Sequence, residues 1–130
     1  MKIVVLIARL LLGAIFAFFG ANLMFQFLHV PPPPPGPVGD YMKAMGETHY
    51  FYVIGFFQLV PGLLLLINRY VPLALTVLAA EIVNILATHI LVMHGQGLFG
   101  PPILVVLLWL LVFWRVRASF AGILAPTGAA

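Results

Sequence analysis

The chain has 130 residues, of which 64% are hydrophobic and 7% charged, with a mean hydropathy of +1.18. Soluble domains carry about 25% charged residues, so this composition excludes a water-facing globular surface and indicates one integral membrane domain over residues 1–130. Six basic residues scattered over four apolar segments make no basic patch, which excludes nucleic acid as a partner; the absence of cysteine excludes disulfides, thiol catalysis and thiolate metal sites.

The first apolar segment, about 3–28, follows Lys2. It is too long for the core of a signal peptide and lacks a clean small-x-small cleavage site, so it reads as a retained spanning helix. About 25 residues at 1.5 Å each cross ~30 Å of hydrocarbon with some tilt. It carries Arg9, Asn22 and Gln26. Asn22 and Gln26 share a face at i and i+4. Arg9, Gly13, Phe16 and Gly20 share another, where the small residues admit a neighbouring backbone closely.

The proline-rich stretch 30–48 follows. Five consecutive prolines lack N–H donors and cannot continue a helix, so they predict a stiff polyproline strut outside the bilayer. Asp40–Thr48 is expected to form a short interfacial helix, with Tyr41, Tyr50 and Tyr52 as interface anchors.

The second span is expected over 50–67. Pro61 should kink it and free a carbonyl that Gln58 or a neighbouring helix can satisfy. The third, 72–94, holds Glu81, Asn84, Thr88 and His89. At 100° per residue the first three fall within about 60° of arc, with His89 on the shoulder of that face. An ionisable group at this depth marks a functional site by default, and its partner must be sought elsewhere. Arg9 is the other membrane-embedded charge, at a comparable depth from the same side, so the two predict a buried Arg9–Glu81 pair. The polar face itself has two readings: a proton-handling or head-group site, or interhelical hydrogen bonds that glue the bundle.

Glycines and prolines from Gly95 to Pro102 make a loop. The fourth span, 98–117, is closed by Trp109, Trp114, Arg115 and Arg117, an aromatic and basic interface signature. The tail from Gly122 to Ala130 is expected to fray. His29, His49, His89 and His94 all belong to one side, but their spacing is loose; neither metal nor haem is expected.

Short connections make neighbouring helices antiparallel, so the expected fold is all-α: an up-down-up-down membrane four-helix bundle. Lys2, Arg69, Arg115 and Arg117 share one side, against Lys43 with Asp40 and Glu47 on the other. The positive-inside rule then places both termini in the cytoplasm.

The runs ARLLLGAIFAFFGANLMFQFL at 8–28, HYFYVIGFFQLVPGLLLLINR at 49–69 and NRYVPLALTVLAAEIVNILATH at 68–89, with the proline strut between them, resemble the DoxX family of small four-helix membrane proteins. The most specific parts are Val83-Asn84 with His89, and Arg9 before the LLLG run. Similar proteins often carry a glutamate where Gln58 stands, and an apolar residue or proline where Glu81 stands. The resemblance implies a multi-pass protein of a bacterial or archaeal inner membrane. It further implies a non-catalytic or accessory subunit of a redox or quinone-linked complex. Possible ligand contacts are Asn22, Gln26, Gln58, Asn84, Thr88 and His89. The alternatives are a quinone- or lipid-binding bundle with its own oxidoreductase activity, and a small proton-coupled transporter. Small multidrug exporters use a glutamate in the first helix, where this chain has Arg9, which argues against the last. The bilayer is the expected surrounding, with a redox-complex subunit or a second copy as protein partner.

Overall fold

A computed structural model describes residues 1–128 and contains five α-helices. They are α1 (Lys2–Phe25), α2 (Pro37–Glu47), α3 (Tyr50–Leu66), α4 (Val71–Ala87) and α5 (Pro101–Val116). A π turn, Thr88–Val92, extends α4, and a 3-10 turn, Arg117–Phe120, extends α5. Three of the resulting helices, Lys2–Phe25, Val71–Val92 and Pro101–Phe120, are long and apolar enough to cross a membrane. The 17-residue α3 reaches about 25 Å by itself.

α1 packs against α3 and α5, α3 against α4, and α4 against α5, which closes a ring of four helices. Gly13 of α1 meets Gly62 of α3, and Gly20 meets Gly55, so these two run antiparallel. Their backbones are so close that a Cβ on Gly62 would lie 2.5 Å from the Ala17 nitrogen, and one on Gly20 2.5 Å from the Leu59 nitrogen. The small-residue stripe expected on α1 is therefore the contact with α3. Across the ring, Trp109 donates its indole N–H to the Leu75 carbonyl at 2.9 Å, tying α5 to α4. The centre is apolar: Leu12, Phe16, Leu65, Leu75, Leu78 and Val112 are fully buried. Large apolar side chains such as Leu6, Phe18, Phe56, Leu73, Val83 and Leu110 stand on the outside. That inverted surface suits lipid rather than water.

Several boundaries differ from the expected ones for local reasons. α1 stops at Phe25 because Gln26 turns left-handed and Asn22 caps the end, its Oδ1 accepting from the Leu28 N–H at 2.9 Å. The surface helix begins at Pro37, which suits the first turn, and not at Asp40. α3 stays helical through Pro61, and Gln58 donates elsewhere, as described below. The third span leaves α geometry at Thr88, where Thr88 Oγ1 and His89 Nδ1 engage the Asn84 and Ile85 carbonyls at 2.8 Å each. Side chains that compete for the i−4 carbonyls favour this wider turn. The fourth span starts at Pro101, after turns in which Gly95 and Gly97 take positive φ. The expected fraying tail extends to residues 129–130, outside the described residues.

α2 and α3 meet at 84° across Thr48 and His49. Together they are long and apolar enough to make a fourth candidate span, broken at this bend. α2 packs on α3.

Candidate functional site

Beneath α2, between α3 and α4, is a cleft of about 620 Å³. That size falls within the range of small-molecule sites. Gln58 and Glu81 form its floor, Asn84, Thr88 and His89 one wall, and Tyr41 of α2 its roof. Phe51, Phe57, Ile85 and Leu91 are among its apolar lining. Val53, Phe57, Asn84 and Leu91 are exposed as well as lining, so the cleft opens through the side of the bundle.

Each polar group reaches the cleft by a simple local device. Gln58 lies on the buried face of α3, with Gly55, Gly62 and Leu65, and only 6% of it is exposed. A buried amide must be paired. Its Nε2 donates to Glu81 Oε2 at 3.4 Å, which fixes the carboxyl against α3. Asn84 donates to the Ala80 carbonyl at 3.1 Å and Thr88 to the Asn84 carbonyl at 2.8 Å. Both oxygens keep lone pairs for a ligand. The Ile85 carbonyl accepts from His89 Nδ1, which assigns the proton to that nitrogen and leaves Nε2 an acceptor in the neutral ring.

The expected Arg9–Glu81 pair is not formed. Arg9 donates to the Leu65 carbonyl and, at 3.5 Å, to the Leu66 carbonyl. Both belong to the last turn of α3, where a cation is favoured; the Leu65 carbonyl also accepts from the Asn68 N–H at 3.3 Å. Among the described residues the only ion pair is Lys43–Glu47 at 3.9 Å, exposed on α2.

The expected ligand-contact residues divide into two groups. Gln58, Asn84, Thr88 and His89 converge with Glu81 in the cleft. Asn22 and Gln26 line a separate hollow with His29 and the proline strut. Tyr41, expected only as an interface anchor, and Met45 also line the cleft, a placement that sequence reasoning missed. Their i,i+4 spacing on α2 was the available signal. His49 is the left-handed residue before α3, its ring 5.7 Å from that of Tyr52, and His94 is also left-handed. Among the described residues no three His, Asp or Glu side chains gather as a metal-binding group.

No family model, no curated protein and no solved structure matches the chain.

Proposed function

We propose that this protein is a DoxX-like, non-catalytic membrane subunit that holds a neutral, bilayer-dissolved ring compound, a quinone being the best fit, in the cleft under α2. The observation that carries this reading is the character of the cleft: a polar floor and wall, apolar elsewhere, open through the lipid-facing side. Asn84 and Tyr41 offer hydrogen bonds to ring oxygens, Phe51 and Phe57 offer faces, and the side opening leaves room for an apolar tail. Among the described residues no lysine or arginine lines the cleft, and Glu81 does. An anionic head group would meet a carboxyl with no cation to offset it, so a neutral ligand is favoured over a phospholipid there. The likeness of the 8–28, 49–69 and 68–89 runs to the DoxX family adds the role of accessory subunit beside a redox enzyme.

The test is extraction of the full chain in mild detergent, followed by mass spectrometry of its organic extract and of co-purifying proteins. We expect a quinone at close to one per chain, together with an oxidoreductase subunit. Glu81→Leu combined with Asn84→Leu should lower the bound quinone at least tenfold while helical content is kept. A quinone-to-phospholipid ratio equal to that of the surrounding membrane, unchanged in the variant, rejects the reading.

A further inference from the structure

At the opposite end of the bundle, α1 and α5 enclose a groove of about 810 Å³. Leu107, Leu110, Leu111 and Trp114 line it from α5. Their spacing of i, i+3, i+4 and i+7 makes one continuous apolar stripe. Lys2 comes in from α1, and Arg115 and Arg117 from the end of α5, so three of the six lysines and arginines of the chain border one groove. All three acids, Asp40, Glu47 and Glu81, lie on α2 and α4 instead. None of the three cations is in an ion pair among the described residues. Arg117 is held in place: its guanidinium carbon sits 4.2 Å from the centre of the Trp114 ring, and it donates to the Trp114 carbonyl. This stacked arrangement leaves other guanidinium N–H groups to bind an anion.

We propose that this groove binds an anionic phospholipid, its phosphate between Lys2, Arg115 and Arg117 and an acyl chain along Leu107, Leu110 and Leu111. Charge complementarity selects the head group. A zwitterionic lipid brings its own cation into an already cationic rim, whereas an anionic one offsets it. The apolar stripe selects a lipid over a free anion, because a soluble phosphate leaves the stripe from Leu107 to Trp114, about 10 Å at 1.5 Å per residue, uncovered. The site is separate from the cleft in position and in charge, and stands whether or not the cleft holds a quinone.

Native mass spectrometry of the full chain, titrated in detergent with dioleoyl phosphatidylglycerol or dioleoyl phosphatidylcholine, tests it. The anionic lipid should bind at least tenfold more tightly. Each cation removed should cost about fivefold, so Arg115→Gln with Arg117→Gln abolishes most of the preference. Lys43→Gln, on α2, should leave it unchanged. If the double variant does not fold, Lys2→Gln alone should still show the fivefold loss. Equal binding of the two lipids overturns the proposal. So does a preference that falls as much in Lys43→Gln as in the groove variants. Quinone content measured on the same preparations reads the cleft independently.

Discussion

Arg9 is half-buried, and its charge is offset by backbone carbonyls rather than by an acid. Removing it leaves the last turn of α3 without that donor. Charge-assisted hydrogen bonds contribute about 1.5–3 kcal/mol, so Arg9→Ala should destabilise the bundle by about that much in detergent unfolding. Because Arg9 and Glu81 share no contact, a double-mutant cycle of Arg9→Ala and Glu81→Ala should add within about 0.5 kcal/mol. A coupling above about 1 kcal/mol would show that the pair forms after all. The need for a partner was legible in the sequence, since two charges stood within apolar runs. The partner was not, because every residue carries a carbonyl and only the close α1–α3 packing shows which ones face Arg9. The histidines behave similarly. His89 bonds the Ile85 carbonyl within its own helix, and no group of three potential ligands assembles among the described residues. The loose histidine spacing in the sequence predicts that the purified protein shows no Soret band and no stoichiometric zinc; either signal contradicts this expectation.

At the scale of elements, the α1–α3 contact depends on glycine pairs seven residues apart, Gly13 and Gly20 against Gly62 and Gly55. A Cβ on Gly20 would meet backbone at 2.5 and 2.8 Å, and backbone cannot swing aside as a side chain does. Gly20→Leu should therefore separate the helices and cost about 3 kcal/mol or more. Gly46, in α2, has nothing within 4 Å, and its φ is ordinary for a helix. Gly46→Ala should stabilise α2 by about 0.5–1 kcal/mol. Thermal unfolding of the two variants checks both signs. The glycine stripe on α1 could be read from its spacing. The roof over the cleft could not, because it depends on the 84° bend between α2 and α3, which no periodicity encodes. The polar face of α4 was legible as a face. Its neighbour Gln58 was legible as a polar residue within a span, one of two candidates to satisfy the carbonyl freed by Pro61; its bond to Glu81 depends on how α3 packs on α4.

For the whole molecule, we propose that the end holding the N-terminus and the Arg69 turn faces the cytoplasm. The charges that share each end carry this proposal. Lys2, Arg115 and Arg117 border the same groove, and the antiparallel α1–α3 contact brings the turn holding Arg69 to that end as well. Four cations with no acid thus stand opposite α2, where Lys43 is offset by Glu47 and Asp40. Lysine and arginine excess in short segments near spanning helices marks the cytoplasmic side. Both termini are therefore expected inside, with the proline strut, α2 and the roof of the cleft outside. Trp114 and Arg117 would then sit at the inner interface, and the anionic lipid groove would face the cytoplasmic leaflet, where anionic head groups are attracted to basic segments. A fusion of a cytoplasm-active reporter at residue 130 should be active, and a periplasm-active one silent. Adding lysines to the opposite end, beside Lys43, should weaken or invert that result, because orientation follows the basic asymmetry. A periplasmic reporter active at residue 130 of the unmodified chain would reverse the orientation and place the lipid groove in the outer leaflet.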